Sequence, residues 1–136
     1  MLSKRAKYAI KALLFLQEYG VENPVSAKLI SERERIPYKF LEQILRELRQ
    51  GKILKSERGS EGGYKFFKNP EEITVAEIIR IVDGPIALIP CVSETFYEKC
   101  SECVDEHTCN IRKLFAELRT GMLPILNTSI VDLSRM

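Results

Sequence analysis

The feature that most restricts the fold of this chain is a glycine-rich tip standing directly behind two helix-like segments. Glu57, Arg58, Gly59, Ser60, Glu61, Gly62 and Gly63 separate two short runs of strand character, Lys52 to Ser56 and Tyr64 to Lys68, in which Ile53, Tyr64 and Phe66 suit a core face. Just before this hairpin, Phe40, Leu41, Ile44, Leu45 and Leu48 recur at helical spacing and form an inward stripe. That helix opens at Pro37, which the first helical position tolerates because its missing N–H would be unpaired there anyway, and Gly51 ends it. A shorter helix, capped by Ser26 and running to about Arg33 with Ala27, Leu29 and Ile30 as its apolar contacts, precedes it across a very short turn. A first helix lies between Ser3 and Gly20, carrying Ala9, Ile10, Ala12, Leu13, Leu14 and Leu16.

Two helices about a tight turn, preceded by a third, have the layout of a helix-turn-helix. A generic three-helix bundle shares that description, and an ordinary flexible turn would explain the glycines. Their adjacency favours a wing, because a loose tip can lie against a phosphate backbone and carry an arginine into a groove. After Asn69-Pro70, Thr74 and Glu77 form a capping-box pattern that opens a helix with Val75, Ile78, Ile79 and Val82 inward, stopping at Gly84-Pro85. Periodicity fails from Ile86 to about His107, an unusually long loop for a compact domain. It resumes at Ile111, Leu114, Phe115, Leu118, Met122, Ile125 and Leu126, with Pro124 expected to kink the helix and Ser129 and Asp132 to cap a last turn.

With 136 residues, 45% of them hydrophobic, the chain suffices for one core. The expected fold is mainly α with a small β-hairpin: a winged helix-turn-helix over residues 1–84, a cysteine-containing sensor loop over 85–108, and a dimerisation helix with a C-terminal turn over 109–136. The amphipathic last helix needs a cover. Self-association supplies one, since helix-turn-helix proteins read paired half-sites about 34 Å apart through a two-fold axis.

A net charge of +2 does not itself announce a nucleic-acid partner, but Lys4, Arg5, Lys7 and Lys11 gather at the N-terminus without an acidic neighbour. Lys4, Arg5, Lys7 and Tyr38 are the candidates for phosphate contacts, which position without specifying. Lys39, Glu42, Gln43, Arg46 and Arg49 form the outward face of the third helix. There Lys39 can donate to guanine and Glu42 accept from a cytosine amino group, although an i, i+4 pair with Arg46 also accounts for Glu42. No apolar run reaches membrane-spanning length and no signal-peptide pattern opens the chain, so a cytoplasmic protein with no membrane partner is expected. A single histidine, without a paired nucleophile or a phosphate-cradling loop, argues against an enzyme.

The four cysteines, Cys91, Cys100, Cys103 and Cys109, are spaced C-x8-C-x2-C-x5-C. In a reducing compartment such a group points to metal ligation or redox sensing rather than structural disulfides. Thiolates are soft ligands suited to iron-sulfur clusters and zinc. Unligated sensing thiols remain a third possibility.

The stretches LSKRAKYAIKALLFL, VSAKLISERERIPYKFLEQILRELRQGKIL, SERGSEGGYKF and ITVAEIIRIVDG resemble the Rrf2 family of winged-helix transcription regulators, of the IscR, NsrR, RirA and CymR type, and the similarity spans essentially the whole chain. The resemblance implies a homodimer on double-stranded DNA with a near-palindromic operator, joined through the helix after Cys109. It places Lys39 and Glu42 at base-reading positions and Arg58 at a minor-groove or backbone contact, with Ser60 and Gly62 beside it in the wing. Lys39 departs from the small hydroxyl residue common in the family, so sequence preference does not carry over. Cluster-binding members hold three cysteines in this loop. Cys103 and Cys109 match the last pair and Cys91 the first position with a longer gap. Cys100 is additional and would complete an all-cysteine metal set. The histidine ligand of one branch falls at Arg112, which cannot ligate, and His107 is a weaker candidate. The expectation is a homodimeric regulator, a repressor, whose operator affinity follows a 2Fe-2S or 4Fe-4S iron-sulfur cluster. The alternatives are a cluster-free thiol-based redox or cysteine-metabolism regulator, and a zinc-stabilised winged-helix protein-interaction module.

Overall fold

Hydroxyl side chains start most of the helices. In the computed structural model, which describes residues 2–136, α1 (Lys4–Tyr19) opens at Ser3, whose Oγ accepts from Ala6 N–H at 3.0 Å. Helix α2 (Ala27–Glu34) opens at Ser26, which accepts from Leu29 N–H at 3.1 Å. Each such cap satisfies one of the backbone donors a helix leaves unpaired.

Arg35 then adopts left-handed angles, φ 54° and ψ 47°, and turns the chain sharply. The turn is fastened where Ser31 Oγ donates to the Ile36 carbonyl at 2.6 Å and Ile36 N–H donates to the Ser31 carbonyl at 3.1 Å. Helix α3 (Tyr38–Gln50) follows with Pro37 as its cap residue, one position outside the helix rather than inside it. Leu41, Ile44, Leu45 and Leu48 are fully buried, with Leu13, Leu16 and Ile30 from α1 and α2 in the same core. Phe40, expected on that stripe, is instead 53% exposed. Its position lies about a quarter-turn to the side of the buried row, where helical spacing alone does not separate flank from core.

The hairpin forms with shorter strands than expected, β1 (Leu54–Glu57) and β2 (Gly63–Phe66), in the antiparallel register Leu54 to Phe66 and Ser56 to Tyr64. Ile53 lies just outside β1 but is fully buried, Phe66 is nearly so and Tyr64 is half-buried. Val25 and Tyr64 exchange backbone hydrogen bonds of 2.9 and 2.8 Å, which dock the base of the hairpin on the entry to α2. Here glycine is required: Gly63 has φ +154°, and an added Cβ would meet the Val25 carbonyl oxygen at 2.2 Å.

Helix α4 (Val75–Val82) opens at Thr74, which accepts from Glu77 N–H at 3.2 Å. Only this half of the expected capping box forms, because the Glu77 carboxylate receives Lys68 Nζ at 2.9 and 3.0 Å. Ala76, Ile78 and Val82 are buried, whereas Val75 and Ile79, both expected inward, are half-buried. The long segment that follows contains a single 3-10 turn at Pro90–Val92.

Helix α5 (Asn110–Leu126) runs through Pro124, which falls in its last turn, and none of its residues is buried. Helix α6 (Ile130–Ser134), capped by Ser129, then returns to the start of the chain. It packs on α1, with Ile130 in the central core, and Ile130 N–H donates to the Ile73 carbonyl at 2.8 Å. Residues grouped with the dimerisation helix in the sequence therefore complete the core of the helix-turn-helix.

Candidate nucleic-acid interface and thiol cavity

Most of the basic candidates are exposed. Lys39, Gln43 and Arg46 project from α3, and Lys4 and Lys7 are exposed on α1. Arg58 and Ser60 are exposed in the wing, with Gly62 half-buried behind them. The wing is tied internally by Lys65 Nζ to Glu57 at 3.0 Å. It is tied to the recognition helix by Arg49 Nη1, which donates to Ser56 Oγ at 3.3 Å. Sequence reasoning placed Arg49 on the outward face without foreseeing this brace, because Ser56 belongs to the next element.

Several of the polar residues singled out in the sequence are engaged within the protein. The Arg5 guanidinium holds the Glu47 carboxylate, joining α1 to α3, and Lys11 Nζ donates to the Glu34 carbonyl at 2.6 Å, joining α1 to α2. Glu42 lies 4.0 Å from Arg46, so the i, i+4 pair weighed against base reading is present at long range. Hydrogen bonding toward Glu42, followed by Glu42's charge, holds the Tyr38 pKa above its ordinary value of 10.0. Tyr38, Glu42 and Arg46 thus form a chain along the face of α3, and Glu42 contacts a base only by exchanging a partner.

The four cysteines are brought together. All are unpaired thiols, and all line a single cavity of about 500 Å³ between the 85–109 segment and the start of α5. Cys91 comes from the 3-10 turn, Cys100 and Cys103 from a turn closed by Cys103 N–H donating to the Cys100 carbonyl at 3.2 Å, and Cys109 from the cap of α5. Cys109 Sγ accepts from Arg112 N–H at 3.5 Å, so this sulfur sits at the positive end of the helix. Desolvation, followed by neighbouring Cys109, Glu106 and Cys100, pushes the Cys103 thiol above its ordinary range. As placed, no three Cys, His, Asp or Glu side chains among the described residues are gathered tightly enough to hold one metal ion. His107 is exposed and is not on the cavity wall.

Two contacts fasten this segment. The Tyr97 hydroxyl donates to the Glu106 carboxylate within the loop, and Arg119 of α5 donates from Nη1 to the Val92 carbonyl while Nε lies 3.9 Å from Glu94. The Arg119 contacts join the loop to α5. On α5 itself, Ile111, Leu114, Leu118 and Ile125 are exposed large apolar side chains. Among the described residues no helix is long and apolar enough to cross a membrane.

Comparison with known proteins places the chain in a family of this fold. A family model described as an iron-dependent transcriptional regulator, Rrf2, covers residues 2–135. An rrf2-like HTH-type transcriptional regulator of Rhodobacter capsulatus is 40% identical over 135 residues, which is 97% of this chain and 90% of that protein. The regulator IscR of Pectobacterium atrosepticum is 30% identical over 131 residues, covering 96% of this chain and 76% of its own. Among solved structures, CymR, the global cysteine regulator of Bacillus subtilis, superposes with a TM-score of 0.80 at 27% identity, covering 99% of this chain and 96% of that one.

Proposed function

This chain belongs to the Rrf2 family of DNA-binding transcriptional regulators and is not an enzyme, and we propose on that premise that it is a cytoplasmic homodimeric repressor whose operator affinity is set by an iron-sulfur cluster held by Cys91, Cys100, Cys103 and Cys109. The observation behind this reading is that all four thiols line one cavity beside the cap of α5, although as placed they are not drawn together around a single point. The donor chemistry fits the group, since cysteine thiolates are the usual ligands of both common clusters. The Arg112 side chain also lines the cavity, and its positive charge suits an anionic occupant. When bound, the cluster would supply a redox-sensitive and iron-dependent centre whose presence changes the order of the loop.

The exposed stripe of α5 supports the dimer. An isologous pairing of two such helices covers Ile111, Leu114, Leu118 and Ile125 of both copies and places two recognition helices on a near-palindromic duplex. On each half-site Lys39 and Gln43 meet base edges, with Glu42 or Arg46 after their mutual pair opens. Arg58, Ser60 and Gly62 follow the backbone or minor groove, and Lys4, Lys7 and Tyr38 hold phosphates. The loop reaches α5 through Arg119 and its contacts with Val92 and Glu94. Regulation then requires that the loaded and empty states differ in affinity for DNA, since an effector moves an equilibrium only by its differential binding.

The likeness to CymR favours one other reading, a cluster-free regulator acting through its free thiols. Anaerobic reconstitution with iron and sulfide separates the two. The cluster reading expects a visible chromophore that is lost when Cys91, Cys103 or Cys109 is replaced by serine. A colourless protein with titratable thiols contradicts it, and stoichiometric zinc uptake in its place identifies a zinc-stabilised module.

A further inference from the structure

Arg112 occupies a position that the thiols alone do not explain. Its backbone N–H donates to Cys109 Sγ, and its side chain lines the same cavity as all four cysteines. Its Nε is buried and has no hydrogen-bond partner in the protein. A guanidinium remains charged at any physiological pH, and among the described residues Arg112 forms no salt bridge, so the side chain brings an unneutralised positive charge to a cavity lined by four thiols. The wall is otherwise acidic: Glu98, Glu102 and Glu106 also line it, against a second cation at Lys99. A cluster bound by four thiolates is itself an anion, and the acidic wall would disfavour it further.

We propose that Arg112 is the counter-charge and hydrogen-bond donor for the cluster, acting on its sulfur atoms and holding its reduction potential higher than the acidic surroundings would allow. Arg112 is thus a positioning and tuning residue rather than a ligand. The proposal rests on the iron-sulfur reading above. Net charge and hydrogen bonds to sulfur are among the main determinants of a cluster's potential, and added electron density is stabilised by a nearby cation.

The test compares the reconstituted wild-type dimer with Arg112→Gln and Arg112→Lys by anaerobic redox titration. Dithionite is the reductant; each molecule is oxidised to two sulfites and delivers two electrons, one to each of two clusters. Far-ultraviolet circular dichroism and the mass of the metal-free forms report whether folding and assembly are retained. Arg112→Gln is expected to move the midpoint to more negative potential by at least a tenfold change in the redox equilibrium, about 59 mV for a one-electron couple. Arg112→Lys, which keeps the charge and loses the planar donor, is expected to fall between. Loss of the chromophore in Arg112→Gln with retention in Arg112→Lys also supports the charge role. An unchanged midpoint in a folded, fully loaded Arg112→Gln protein overturns the proposal, as does loss of the chromophore in both variants. A wild-type protein that gains no chromophore refutes the iron-sulfur reading instead.

Discussion

Truncating Leu114 to alanine examines the dimer without touching the core. Leu114 is 62% exposed in the isolated chain, and no residue of α5 is buried within it, so the substitution leaves the folded protomer nearly unchanged. Full burial of a leucine side chain is worth about 1.5–3 kcal/mol, and the open fraction of Leu114 scales this to about 1–2 kcal/mol per chain. In an isologous interface the same residue is lost from both copies, which doubles the effect to about 2–4 kcal/mol. At about 1.4 kcal/mol per tenfold, the dimer dissociation constant should rise about 30- to 700-fold. Sedimentation equilibrium over a concentration series measures it, with thermal melting as the control for fold. An unchanged dissociation constant in a normally folded Leu114→Ala protein refutes the α5 interface. A large loss of protomer stability refutes the claim that this face is free within one chain.

Arg58→Ala should weaken DNA binding by about 1–3 kcal/mol, the range of a good groove contact, and equal affinity at fixed salt removes the wing tip from the mechanism. Arg5 and Lys7 should behave differently although they are two residues apart. Lys7→Ala should lower the slope of log affinity against log salt by about 1. Arg5→Ala should leave that slope unchanged and cost about 0.2–1 kcal/mol of stability, because its partner is Glu47 and the pair is partly exposed. Parallel salt titrations and urea melts distinguish the two outcomes. Gly63→Ala should destabilise the fold by at least about 1–3 kcal/mol through backbone strain, with a further contribution from the close Val25 carbonyl; a melting curve identical to the wild type contradicts the docked-wing geometry.

Local chemistry made much of the fold legible. Ser3, Ser26, Thr74 and Ser129 all cap helices as expected, since capping depends on residues three apart. The buried row of α3 and the glycine-rich wing were legible for the same reason. What escaped depends on contacts between distant segments. Glu77 turns from its own helix end to Lys68, Arg5 finds Glu47 on another helix, and α6 reaches α1 across the length of the chain. Phe40 was assigned inward because spacing reports a face but not the width of the groove that receives it.

In the site, the spacing of the cysteines indicated a shared function but not their arrangement around one cavity. The participation of Arg112 had no signature in spacing: its significance comes from a charged side chain on the cavity wall, and the match to a family histidine identified only a residue that cannot ligate.

Occupation of the thiol cavity is expected to change affinity for DNA. The most direct measurement is the affinity of one anaerobic preparation, with and without cluster, at fixed salt. The probes are duplexes that the protein has selected from a random pool in each state. A coupling of ordinary size predicts affinities that differ by about 5- to 150-fold, with the difference abolished when the four cysteines are replaced by serine. Equal affinities in the two states, or a difference that survives in the serine variant, contradict the account.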